Sequence, residues 1–253
     1  MTSASGTAKL RVAGLAFGYG GNIVQHDVSF EVGANSIFAV MGGSGCGKST
    51  LMKTMIGLLK PTAGSIYVGD EDYWGASGQR RTEIGRRFGV VFQSGALWSS
   101  MTVEENVALS PRMFTSLDDA SIKALAQLKL SLAGLDIDPS TMPAELSGGM
   151  RKRVAVARTL ALGPEIILFD EPTVGLDPLL STNVDELILG LKEKVGCTNV
   201  VVTHDMITAF RVADQIGMFH EGVITALGTP EEFGHSKEPV VQEFIARNRQ
   251  WKI

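Results

Sequence analysis

Apolar residues along this chain recur with two periods, and the changes of period mark its elements. Residues 28–32 (Val-Ser-Phe-Glu-Val) alternate apolar and polar side chains, as a half-buried strand does. Residues 37–40 are continuously apolar and run into Gly42, the pattern of a fully buried strand. From 49 to 59 the composition is helical, and Lys60-Pro61 stops the helix because proline cannot continue it. Residues 64–69 and 90–92 read as further strands. A long helical pattern follows over 117–135, with Asp118 and Asp119 as caps. Strand patterns then return at 165–169 and 199–203, each followed by a helical one, at 179–195 and 206–212. This alternation predicts an α/β protein whose mainly parallel sheet is covered by helices and interrupted by a helical insert. Residues 239–247 form a last short helix with Val240, Val241, Phe244 and Ile245 on one side.

Composition narrows the function classes. The 253 residues are enough for one large domain with a sizeable core, and 44% hydrophobic with 20% charged is ordinary for a globular chain. A formal net charge of −4 provides no basic field for nucleic acid. Cys46 and Cys197 are too few for a disulfide framework, so a reducing compartment is expected. The first residues are small and polar, with no leader pattern, and no apolar run approaches the roughly 20 residues of a membrane span. Any span this protein works with is expected on another chain.

Two motifs carry the chemistry. Gly42-Gly43-Ser44-Gly45-Cys46-Gly47-Lys48-Ser49-Thr50 satisfies the phosphate-loop pattern G-x-x-x-x-G-K-[ST], between a predicted strand and a predicted helix. Its glycines let backbone N–H groups curl around an anion, and the helix N-terminus adds partial positive charge. Lys48 is expected at the β- and γ-phosphates and the Ser49 hydroxyl on Mg²⁺. Cys46 is open to two readings, a reactive thiol at a helix start or a small side chain that packs. Downstream, Ile166-Ile167-Leu168-Phe169 ends in Asp170, the Walker B pattern, which delivers a carboxylate to the phosphate-bound metal. Glu171 follows as the residue to polarise an attacking water. Thr203-His204-Asp205 comes directly after another apolar strand, so His204 is expected at the same sheet edge.

Glu145-Leu146-Ser147-Gly148-Gly149-Met150, followed by Arg151-Lys152-Arg153, resembles the signature motif of ABC transporter ATPases, and the resemblance covers nearly the whole chain. By that resemblance Gln93 is similar to the Q-loop glutamine, which takes part in metal binding and catalysis. Gly175-Leu176-Asp177 looks like the D-loop, His204 like the switch histidine, and Tyr19 like the aromatic residue on which adenine stacks. The family implies a P-loop core of about residues 8–93 and 163–236, with an N-terminal antiparallel β subdomain. It also implies a helical signature subdomain at about 94–162, within a single domain over 1–247, and a tail over 238–253. ATP and Mg²⁺ are the implied cofactors. Two copies are implied to join head to tail, with ATP clasped between one phosphate loop and the Ser147, Gly148 and Gly149 of the other copy.

The Q-loop and tail sequences, with Met150 in the signature, look like the ATPases of Mla and Mce lipid transport systems. That likeness implies a peripheral subunit on the cytoplasmic face of the inner membrane. Its implied partners are two permease subunits, an Mce-domain lipid-binding protein and a small STAS-domain protein. The alternatives are an importer or exporter of another solute, or a non-transport ABC ATPase or regulatory module. Ser94-Gly95-Ala96-Leu97-Trp98 with Met101 is either local packing or a groove for a membrane partner. Arg80, Arg81, Arg86 and Arg87 form either a solvated paired face or a lipid-headgroup contact. The terminal helix either caps this chain's core or docks on the second copy.

Overall fold

The computed structural model describes residues 8–20 and 22–247. The N-terminal residues read for a leader and the tail beyond 247 lie outside them, apart from Ala8. Four strands, β1 (Ala8–Tyr19), β2 (Asn22–Gly33), β4 (Ala63–Val68) and β5 (Glu71–Asp72), form an antiparallel sheet in the order β2-β1-β4-β5. A six-stranded sheet holds β3 (Ile37–Gly42), β6 (Phe88–Val91), β7 (Ile166–Asp170), β8 (Thr198–Thr203), β9 (Gln215–His220) and β10 (Val223–Gly228). Its order is β10-β9-β3-β8-β7-β6, parallel throughout except for the β9–β10 hairpin.

The residue pattern explains this layering. Every residue of β3 and β8 is buried, as expected of central parallel strands covered on both faces. Along β7 the period of two divides the side chains between two cores. Ile166 and Leu168 join Phe17, Phe30, Phe38, Leu51 and Ile66 beneath the antiparallel sheet, where the Phe30 and Phe38 rings stack at 4.6 Å. Ile167 and Phe169 turn the other way, onto Val154, Leu160, Ile188 and Leu191. Each such side chain, fully buried, contributes about 1.5–3 kcal/mol through the hydrophobic effect.

Nine α-helices are described: α1 (Lys48–Met55), α2 (Gly78–Gly85), α3 (Val103–Phe114), α4 (Asp119–Leu132), α5 (Gly148–Leu160), α6 (Pro178–Val195), α7 (Met206–Val212), α8 (Pro230–Gly234) and α9 (Pro239–Arg247). None is long and apolar enough to cross a membrane. Helices α3, α4 and α5 pack on one another between β6 and β7 in the chain. Asp118 is the N-cap of α4, its carboxylate accepting from Ser121 N at 2.8 Å.

Three departures from the sequence reading have physical causes. Helix α1 ends at Met55 rather than at 59, because Gly57 takes a left-handed φ of 84° with Tyr73 Oη packed against it. Helix α3 has no counterpart in the reading, since Pro111 lies inside it; a capping box of Thr102 and Glu105 starts it. Strand β6 stops at Val91, leaving Phe92 outside and 39% exposed. The arginine cluster is a paired face: Arg80 bonds Glu71 and Glu83, Arg87 bonds Glu71 and Glu165, and Arg81 and Arg86 lie over Trp74 and Phe114. Helix α9 rests on its own chain, with Val241 buried and Val240, Phe244 and Ile245 packed on the Met41, Met218 and Phe233 core.

One buried carboxylate stands out between α6 and α7. Asp185 is 1% exposed, and Arg211 donates to its Oδ2 at 3.3 Å while Oδ1 has no partner. Burial pushes its pKa up to about 6, against the lowering by Thr208 and Arg211. Folded chains therefore hold this proton up to about pH 6 while unfolded chains release it near 4, so stability falls as pH rises through that window. Asp185→Asn removes the dependence. Comparing urea unfolding at pH 4 and pH 7, the native chain should lose up to about 3 kcal/mol more than the variant, at 1.36 kcal/mol per pKa unit. Equal losses in both proteins refute the assignment.

Candidate functional site

Parallel register gathers the predicted residues at one sheet edge. Met41 of β3 pairs with Thr203 of β8, Asp170 of β7 with Val202, and Val91 of β6 with Phe169. The residues just beyond these pairs are Gly42 with its loop, His204, Glu171 and Gln93. All four segments leave the C-terminal ends of adjacent strands, where open α/β sheets bind ligands.

The loop 42–47 joins β3 to α1. Gly42, Gly45 and Gly47 take φ of 156°, 80° and 97°, and a Cβ at Gly42 would meet Phe219 O at 2.7 Å. Glycine is required there by both conformation and space. Gly43 and Ser44 form the exposed crest of the loop, and Cys46 is half-buried below. Lys48 is 7% exposed, and its ammonium donates to Gly42 O at 2.8 Å and Gly43 O at 3.0 Å. Thr50 lies on α1 beyond the loop and its carbonyl accepts from Thr54 Oγ1 at 3.0 Å.

Lys48 Nζ also lies 4.0 Å from Glu171 Oε1. The other Glu171 oxygen, Oε2, accepts from His204 N at 3.2 Å and stands 2.9 Å from His204 Nδ1. Glu171 has a left-handed φ of 47°, an unfavourable conformation for a non-glycine residue, which turns its carboxylate back toward His204. Ser49 Oγ stands 3.5 Å from Asp170 Oδ1. Burial, followed by the adjacent Glu171 charge, raises the Asp170 pKa against lowering by Ser49, Lys48 and Lys152. A hydroxyl and a part-buried carboxylate whose charge is not fully matched form a hard oxygen pair, which suits Mg²⁺.

Gln93 is exposed, and its backbone carbonyl accepts from Lys152 of α5. Tyr19 ends β1 at 48% exposure, with its hydroxyl accepting from Lys53 Nζ at 3.3 Å. The remaining predicted residues lie apart from this group. Ser147 is the N-cap of α5, Gly148 and Gly149 face Leu176 and Leu180 of the same chain, and Asp177 caps α6. No hydrogen bond or ion pair among the described residues joins them to the phosphate loop.

Gln25 is a neighbour that sequence reading missed. Fully buried in β2, it donates from Nε2 to Cys46 O and packs on Gly47, while its Oε1 lacks a partner. Alternation counted back from Phe30 and Val28 turns position 25 outward. Asp27 at φ 52° breaks that register and turns it in.

Comparison with known proteins gives this edge its context. A family model described as "ABC transporter" matches residues 25–174. The chain is 38% identical over 240 residues to the probable ribonucleotide transport ATP-binding protein mkl of Mycobacterium leprae, covering 95% of this chain and 69% of that one. It is 36% identical over 236 residues to the intermembrane phospholipid transport system ATP-binding protein MlaF of Haemophilus influenzae, covering 93% and 89%. With the methionine import ATP-binding protein MetN 1 of Yersinia pestis it shares 39% over 220 residues, covering 87% and 64%. Among solved structures, cbiO1 of Clostridium perfringens, part of the ABC transporter complex cbiONQ, superposes with a TM-score of 0.84 at 27% identity, covering 96% and 97%. The dimeric ATP-binding cassette MJ0796 bound to ADP and Pi does so at 0.77 and 30%, covering 87% and 98%.

The two cysteines allow a direct check on the loop. Cys197 is 3% exposed and burial raises its pKa, so it should stay unlabelled, whereas Cys46 lies in the loop itself. Iodoacetamide should label Cys46 several-fold more slowly with ATP present, read by peptide mass spectrometry. Equal labelling with and without ATP would show that nucleotide does not cover residue 46.

Proposed function

This chain belongs to the ABC transporter family and is an ATP-binding, ATP-hydrolysing subunit; from that premise we propose that it powers lipid transport across the cell envelope. The observation that carries the ATPase chemistry is the meeting of Lys48, Asp170, Glu171 and His204 at the ends of three adjacent strands.

In this reading the N–H groups of residues 43–50 cradle the phosphates of ATP and Tyr19 supports the adenine. Lys48 leaves the Gly42 and Gly43 carbonyls for the β- and γ-phosphates. Mg²⁺ would be held by Ser49 and Asp170 with Gln93, and supplies positive charge to the phosphate oxygens. His204 occupies Glu171 Oε2 through its backbone N–H and, in the Nδ1-protonated tautomer, its ring. That leaves Oε1, on the Lys48 side, to accept the proton of the attacking water.

Among the described residues no hydrogen bond or ion pair joins Ser147, Gly148 or Gly149 to their own chain's phosphate loop, yet they form a helix N-terminus. This supports a head-to-tail homodimer in which they and Asp177 complete the second copy's site. Trp98, 57% exposed, and Phe92 border the Gln93 loop and supply the apolar surface for a permease subunit. Two permeases place the ATPase peripherally on the cytoplasmic face of the inner membrane. An Mce-domain lipid-binding protein and a STAS-domain protein complete the assembly. The lipid assignment rests on the likeness to MlaF; the likeness to MetN makes a solute importer the rival.

Glu171→Gln should lower ATP turnover by roughly 10²–10⁴-fold while nucleotide binding persists. The tagged variant, trapped with ATP and recovered from native membranes, should bring down a permease, an Mce-domain protein and enriched phospholipid. A permease without lipid would overturn the lipid assignment, and full turnover by the variant would remove Glu171 from the mechanism.

A further inference from the structure

Helix α5 carries two cations whose placement neither nucleotide binding nor dimer formation explains. Lys152 is 6% exposed and its ammonium donates to Gln93 O. Arg158, six residues later, donates from Nη2 to Gly95 O at 2.8 Å and from Nη1 to Ala96 O at 2.6 Å. Neither cation has a carboxylate at ion-pair distance among the described residues. Burial lowers the pKa of both, and for Lys152 the charges of Asp170 and Glu171 oppose that lowering. Arg158 is half-buried, whereas taking the Lys152 charge out of water costs several kcal/mol, so a helix that only needed to pack would carry an apolar residue at 152.

The loop they hold is itself irregular. Gly95 and Ala96 take left-handed φ of 77° and 47°, and a Cβ at Gly95 would lie 3.4 Å from Arg151 O. The loop is thus pressed against α5 with its carbonyls turned toward the helix. From Gln93 to Ala96, the carbonyls of Gln93, Gly95 and Ala96 are held by one helix.

We propose that Lys152 and Arg158 are positioning residues that fasten the loop carrying Gln93 to α5, so that the two move as one body. The consequence for catalysis rests on the proposed role of Gln93 at Mg²⁺: where α5 goes, the Gln93 side chain follows. Because α5 begins with Ser147, Gly148 and Gly149, engagement of that helix start by the second copy would bring Gln93 to its own chain's metal. The clamp thereby transmits dimer closure from the start of α5 to the Gln93 loop, with no residue of the second copy needed at that metal.

Two measurements on the full-length protein test this. The first is amide exchange at Gly95, whose N–H donates to Phe92 O at 2.8 Å. Lys152→Met should speed it about tenfold, the loss expected for one charge-assisted hydrogen bond, whereas Lys152→Arg should keep it slow. Arg158→Gln serves as a second variant should Lys152→Met fold poorly. Unchanged exchange in Lys152→Met and Arg158→Gln overturns the clamp.

The second is the Mg²⁺ concentration for half-maximal ATP hydrolysis. Lys152→Met should raise it about tenfold, by the same lost hydrogen bond, and should add nothing in a Gln93→Ala background. An equal rise in both backgrounds overturns action through Gln93. Should Gln93→Ala by itself leave the Mg²⁺ dependence unchanged, the metal role of Gln93 is refuted, and exchange at Gly95 still decides the clamp.

Discussion

Parallel pairing of β6, β7, β8 and β3 is the constraint on which the rest of the molecule depends. Register along these strands is fixed by burial on both faces, since a one-residue slip would exchange Ile166 and Leu168 with Ile167 and Phe169 between two differently shaped cores. Once it is fixed, the chain leaves each strand at the same end, which sets Gly42, His204, Glu171 and Gln93 side by side and lets Glu171 and His204 bond. The site is therefore a by-product of core packing. Its precision derives from apolar residues that never meet a ligand, which is why changes in β7 or β8 should disturb chemistry as well as stability.

Charge at this edge is deliberately incomplete. Asp170 and Glu171 are neighbours in sequence, and the buried Lys48 is turned onto loop carbonyls, 4.0 Å from one of them. Burial together with the Glu171 charge makes the ionised form of Asp170 less favourable than it is in water. In the proposed reading a divalent cation would relieve that repulsion and a phosphate would give Lys48 a better partner, so the same imbalance would favour both. The left-handed Glu171 fits this picture, because it keeps one carboxylate oxygen on His204 and the other toward Lys48. Strain of about 1–3 kcal/mol is tolerable where flanking strands over-determine the backbone.

Legibility from sequence follows from how local each signal is. The phosphate loop and the Asp170-Glu171 strand end were readable because short residue patterns specify their backbones. The central strands were readable because burial on both faces leaves continuous apolar runs. Helix α3 was hidden by Pro111, which argues against a helix locally and is outweighed by packing of Val103 and Val107 in the core. The end of α1 was misplaced because its stop is Gly57 against Tyr73, a contact across 16 positions of sequence. Gln25 was invisible for a related reason, since one left-handed residue, Asp27, shifts the inward phase of β2. Single-residue shifts of this kind arise from tertiary context and leave no periodic trace.

Helix α5 shows how one element can serve both kinds of requirement. Its apolar face, with Val154, Ala155 and Leu160, belongs to the core that also holds Ile167 and Phe169, so it is anchored to the strand that ends at Asp170. Its polar positions run along the Gln93 loop, where Lys152 and Arg158 supply charge-assisted hydrogen bonds to carbonyls that a β-strand would otherwise pair. Of the residues so held Gly95 is buried, and a buried backbone oxygen without a partner costs about 1–3 kcal/mol. Supplying the partners from a single helix makes the loop's shape conditional on that helix's position. A loop satisfied by its own turns would be indifferent to α5; this one is not, and that dependence joins the signature end of the fold to the strand edge where phosphate chemistry is proposed.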